Sequence, residues 1–125
     1  MGYTRYWTRT DKPITQDFID AVNSIIAEAR KNGISICGWD GTGEPEVTLE
    51  RIALNGPEEY DLGHESFVLT NKAEWNFCKT ACKPYDYAVR EILKSGEKMN
   101  IVEDVVDDAD YEAIVSDKDY LNGRW

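Results

Sequence analysis

The chain has 125 residues, with 24 Asp and Glu against 14 Lys and Arg, for a formal charge of -10. That length suits one domain and leaves too little for two full cores, while 42% hydrophobic and 11% aromatic residues exclude a wholly disordered chain. The charge argues against nucleic acid and anionic membrane surfaces as direct partners, because both call for clustered Lys and Arg.

The charge is unevenly spread. Residues 1–96 hold 15 acids and 11 bases, and residues 97–125 hold nine acids and three bases. This predicts a single domain over 1–96 and a partly ordered acidic extension over 97–125. An acidic body suits a basic partner, or solubility alone. The three cysteines, Cys37, Cys78 and Cys82, are odd in number, and no basic and apolar leader opens the chain. Both features predict free thiols in a reducing cytoplasm. No apolar run approaches the ~18 residues that span a bilayer.

In chain order, Tyr3 to Arg9 is aromatic and β-branched and predicts a first strand. Thr15 is placed to cap a helix over 15–32, with Asp17 in its first turn and Arg30, Lys31 and Gly33 at its end. Phe18, Val22, Ile25, Ile26 and Ala29 recur on its face. Ile34 to Cys37 predicts a short buried strand. It runs into Gly38-Trp-Asp-Gly-Thr-Gly-Glu-Pro45, where three glycines and a proline dictate a loop. Residues 48–51 predict one helical turn. Residues 52–55 and 66–70 predict two paired strands around a polar loop over 56–65 that holds His64. Residues 75–79 predict a further strand.

Pro84 suits a first helical turn, and Tyr85, Ala88, Val89, Ile92 and Leu93 form the face of a second helix over 84–95 that Gly96 ends. Beyond 97 the β-branched residues are interrupted by acids, and a short helix is predicted from Asp107 or Asp108 to about Asp117. The order predicts an α+β fold with a small, mainly antiparallel sheet, two helices on one face and two layers.

Two blocks carry candidate chemistry. In the glycine loop, Gly41 and Gly43 allow close backbone approach to an anion. Asp40 and Glu44 supply carboxylates, and Trp39 supplies a stacking surface. The dinucleotide fingerprint is not met, since Gly38-x-x-Gly41-x-Gly43 ends in proline rather than entering a helix. Trp39-Asp-Gly-Thr42 shares part of the haloacid dehalogenase motif, but Gly38 stands where the nucleophilic aspartate belongs. In the second block, Lys79, Thr80 and Lys83 set two cations and a hydroxyl before a helix N-terminus, with Asp86 just inside it. The blocks are expected to share one pocket.

No cofactor or metal is predicted. Cys78-x-x-x-Cys82 with Cys37 and His64 lacks the paired spacing of a zinc site. The rhythm from Asp108 to Asp119 has Ala113 where a calcium loop needs glycine and Asp119 where it needs glutamate. His64 beside Glu65 has no accompanying nucleophile motif. Four tryptophans, Trp7, Trp39, Trp75 and Trp125, are dense for this length.

Trp39-Asp-Gly-Thr-Gly-Glu-Pro45, Ile52-Ala-Leu-Asn-Gly56, Glu65-Ser-Phe-Val-Leu69 and Phe77-Cys-Lys-Thr-Ala-Cys-Lys-Pro-Tyr-Asp86 together resemble a group of small uncharacterised proteins from phages, prophages and other mobile elements. The resemblance covers about residues 3–95, and Cys82 stands where the group tends to have a basic residue. It implies an accessory protein of a mobile element acting in a bacterial cytoplasm, and implies no reaction.

Three functions are therefore weighed. The first is a binding protein that occupies and inhibits a host protein with a basic surface, such as a defence factor. The second is a binder of a small anionic, nucleotide-like ligand. The third is a small hydrolase using Asp40, Glu44 or His64, for which no motif places a nucleophile beside a base.

Overall fold

The computed structural model describes residues 2–124; Trp125, the last of the four tryptophans, lies outside them. The described elements are β1 (Thr4–Arg9), α1 (Gln16–Lys31), β2 (Glu46–Val47), β3 (Arg51–Leu54), a short 3-10 turn (Glu59–Asp61), β4 (Phe67–Thr70), β5 (Trp75–Lys79), α2 (Asp86–Lys98), β6 (Val102–Asp107) and α3 (Asp117–Leu121). The fold is α+β, as expected. Its strands form two three-stranded antiparallel sheets, ordered β5-β1-β6 and β2-β3-β4.

Helix α1 follows its sequence signals. The Thr15 hydroxyl accepts from the Phe18 N–H at 3.2 Å, which satisfies one otherwise unpaired donor of the first turn. Phe18, Ile19, Val22, Ile26 and Ala29 are buried along one face. They join Trp7, Ile34, Ile36, Ile52, Phe67, Leu69, Cys78, Tyr85, Ile92, Ile101 and Val102 in one core shared by both sheets and both long helices.

Five expectations are corrected. Helix α2 does not stop at Gly96 but continues to Lys98. A Cβ at Gly96 would stand 3.1 Å from Val102 Cγ2 and 3.4 Å from Phe18 Cε1, so glycine here serves close packing rather than termination. Residues 48–51 are not helical; they form the tight turn between β2 and β3, where the Thr48 N–H donates to the Arg51 carbonyl at 3.0 Å. Ile34 to Cys37 supplies one isolated bridge, Cys37 to Asn55, instead of a strand. The boundary at 96 does not divide the fold, because β6 pairs with β1 and buries Ile101 and Val102 in the common core. The late helix also lies further on than predicted, at 117–121, where Ser116 caps it by accepting from the Asp119 N–H at 3.1 Å.

Strand β1 is the central strand of its sheet. Its alternation buries Arg5, Trp7 and Arg9 on the core side and leaves Tyr6 and Thr8 half-exposed on the other. The ladder between β1 and β6 shifts register between Tyr6 and Thr8, and Asp104 has φ 52°. This irregularity lets two successive acids, Glu103 and Asp104, both reach solvent. Among the described residues no helix is long and apolar enough to cross a membrane.

Candidate functional site: an open aromatic sheet face and a tyrosine cleft

The glycine loop is built as a closed turn. The Gly38 N–H donates to the Thr42 carbonyl at 2.9 Å, and the Gly41 N–H donates to the Gly38 carbonyl at 2.9 Å. Asp40 Oδ1 accepts from the Thr42 N–H at 3.1 Å and from its hydroxyl at 2.9 Å. These bonds hold the Asp40 carboxyl below its ordinary pKa. Three main-chain donors, those of Gly38, Gly41 and Thr42, are thus spent within the loop.

Gly41 has φ +83°, and a Cβ there would meet the Glu58 amide nitrogen at 2.8 Å. Its carbonyl accepts from that same Glu58 N–H at 3.0 Å. The glycine is required by conformation and by contact with the next loop. Gly43, at φ +65°, faces open space. Glu44 pairs with Arg30 at 3.2 Å on the surface. Trp39 exposes its side chain and fixes its carbonyl to Asn55 Nδ2 and the Ser66 hydroxyl.

The second block is mostly internal. Thr80 and Asp86 are fully buried. The Thr80 hydroxyl donates to Asp86 Oδ1 at 2.6 Å, and the Arg5 guanidinium grips both Asp86 oxygens at 2.8 Å. Arg5 also reaches Asp107 at 3.3 Å and the Tyr111 carbonyl at 2.8 Å. The expectation that Thr80 and Asp86 contact a ligand is therefore corrected: Asp86 neutralises a buried arginine and Thr80 holds Asp86 in place. Lys79 exposes its side chain while its N–H donates to Glu65 Oε1 at 2.8 Å. Lys83 is buried, and its ammonium pairs with Asp61 Oδ2 at 3.1 Å.

The two blocks do not share a pocket. Beside the glycine loop lies an open depression lined by Cys37, Gly41, Thr42, Pro57 and Glu58. Lys83 instead borders a separate cleft of ≈ 660 Å³, with Tyr3, Tyr111, Tyr120, Ala81 and His64. The 56–65 loop lies between them, touching Gly41 through Glu58 and Lys83 through Asp61. Buried Asn55 pins that loop. Its Oδ1 accepts from the Gly56 and His64 N–H groups at 2.8 and 3.1 Å, and its Nδ2 donates to the His64 carbonyl at 3.0 Å.

A third feature was not singled out from the sequence. On the outer face of the first sheet, Phe77, Tyr6 and Val106 form one row across β5, β1 and β6. Trp75 stands beside them, its ring 5.5 Å from that of Phe77 and stacked on that of Tyr6 at 6.0 Å. Trp75 is 59% exposed, Val106 58% and Phe77 40%. The signal was present: Tyr6 and Trp7 are adjacent in one strand, so only one can enter the core, and Trp75 and Phe77 have the parity opposite to buried Cys78.

All three cysteines are free. Among the described residues no group of three or more His, Cys, Asp or Glu is arranged to hold a metal ion. No family model, curated protein or solved structure matches the chain.

Proposed function

We propose that the protein is a non-catalytic binding module that occupies a basic, partly apolar surface of another protein. The observation that carries this reading is the row Phe77, Tyr6 and Val106, with Trp75, on an uncovered sheet face beside Glu103, Asp104 and Asp108. Aromatic anchors inside a charged rim are the usual anatomy of a protein interface.

The fold adds to the acidity a partner would meet. Only one of the 24 acids, Asp86, is buried, but four of the 14 bases are: Arg5, Arg9, Lys83 and Arg90. The chain thus presents 23 acids against ten bases outside its interior, which favours fast, salt-sensitive encounter with a positive surface. In the mobile-element context that the sequence resemblance implies, the bound protein is a host protein and occupation of its basic surface inhibits it. The hydrolase reading finds no support, because Asp40 is bonded to Thr42, Glu44 is paired with Arg30, and neither is bonded to His64.

The test is affinity capture from bacterial lysate with the natural chain, Trp75→Ala/Phe77→Ala and Glu103→Lys/Asp104→Lys. The expected result is one basic protein, retained by the natural chain, released by added salt and lost from both variants. Retention by both variants, an acidic partner, or a chain that dimerises through Trp75 in sedimentation would overturn the reading.

A further inference from the structure

We propose that the cleft between the 56–65 loop and the turn at 80–83 is a binding site for a small aromatic carboxylate. It is a second site, which meets the sheet face only at Asp108.

The first argument is the shape and lining. A cleft of ≈ 660 Å³ walled by Tyr3, Tyr111, Tyr120 and Ala81 has the size and aromatic character of a small-molecule site. The Tyr3 and Tyr111 rings lie 5.6 Å apart at 59°. Its polar side chains are Lys83, His64, Cys82 and the carboxylates Asp61 and Asp108; Asp108 is already held by the Thr4 N–H at 2.9 Å and the Tyr6 hydroxyl at 3.0 Å, which leaves Lys83 as the cation of the cleft.

The second argument is backbone strain. Ala81 and Cys82 have φ 54° and 56°, and the Lys83 N–H closes their turn onto the Thr80 carbonyl at 3.0 Å. Across the cleft, Tyr60 and Asp61 have φ 59° and 56°. None of the four is glycine, and a side chain at such a φ is strained against its own backbone. Asn100, Asp104 and Asp110 share this conformation elsewhere; what is particular here is that three such residues, Asp61, Ala81 and Cys82, line one cleft.

The third argument is the state of Lys83. Its side chain is 10% exposed, yet the carboxylate paired with it, on Asp61, is 92% exposed. The ammonium also holds the Asp61 main-chain carbonyl. An incoming carboxylate displaces only the solvent-facing Asp61 oxygens, and the carbonyl bond remains. The chain itself shows which anion the position takes. A dianionic phosphate would meet one cation in a strongly negative surround, so the singly charged carboxylate is favoured.

The experiment is amide NMR of the full chain titrated with benzoate, benzamide, acetate and inorganic phosphate. Benzoate is expected to give saturable shifts at Asp61, His64, Ala81 to Lys83 and Tyr111. Benzamide, which lacks the charge, and acetate, which lacks the ring, should bind about tenfold more weakly. Asp61→Asn removes the competing carboxylate at an exposed position, and should bind benzoate about two- to five-fold more tightly. Lys83→Met should abolish the shifts, and Trp75→Ala should leave them unchanged. The proposal is overturned by absence of saturable benzoate shifts in both the natural chain and Asp61→Asn, by benzamide matching benzoate, by weaker binding in Asp61→Asn, or by phosphate exceeding benzoate.

Discussion

Asp86 shows how much a single side chain can carry in this fold. It is fully buried, held by two charge-assisted bonds from Arg5 and one from Thr80. Removing one partner of such a pair strands the other charge away from water, at a cost of about 3–5 kcal/mol. Asp86→Ala is therefore expected to lose that much stability in urea unfolding, and Arg5→Met/Asp86→Ala should recover part of it. The buried thiol of Cys78 makes a second prediction. Burial raises its pKa from 9.0 to about 12, and burial likewise raises that of Tyr85. A raised folded-state pKa stabilises the fold fully below the ordinary value and less as pH climbs through the raised one. Urea midpoints should thus fall as pH rises from about 9 towards 12. Cys78→Ala should delay the onset towards the ordinary tyrosine value of 10.0. At any given pH Cys78 should react more slowly with iodoacetamide than half-buried Cys37 and Cys82.

Among the elements, Gly96 is the sharpest test of packing against propensity. Alanine gains about 1 kcal/mol of helix propensity over glycine. Its Cβ would press on Val102, whose branched side chain is stiff, and on Phe18, both inside the core. Gly96→Ala is expected to be destabilised by about 1 kcal/mol net, read from the thermal midpoint. The same glycine shows where sequence reasoning reaches its limit. Helix α1 was legible almost to the residue because its cap, dipole charges and apolar stripe all act locally. The end of helix α2 is not legible locally, because the reason for Gly96 lies on strand β6 and helix α1, at Val102 and Phe18. Strand β6 resembles an acidic tail in local composition because its exposed acids face water, while its pairing with β1 is set by residues about 100 positions away. The site was less legible still. Asp86 carries the same letter whether it meets a ligand or a buried arginine, and the partner that decides it, Arg5, is distant in sequence, as Asp61 is from Lys83.

For the molecule as a whole, the last quarter is structural as well as acidic. Truncation before residue 97 would remove β6, Ile101 and Val102 from the core and leave one edge of β1 unpaired. Such a chain is expected to lose cooperative unfolding and bind hydrophobic dye, measured by near-ultraviolet dichroism and ANS fluorescence. The placement of β1 has one more consequence. Thr4 pairs with Lys79 and Arg5 with Asp107, so β1 is made well before either of the strands that flank it. At about 5–20 residues per second, translation leaves Tyr6 and Trp7 without the pairing of β5 for roughly 4–14 s and without that of β6 for roughly 5–20 s. During that interval the nascent segment offers two bare edges and an indole to whatever is near. Its shelter on the ribosome, by a chaperone or by speed of synthesis, sets how much of the newborn chain escapes aggregation.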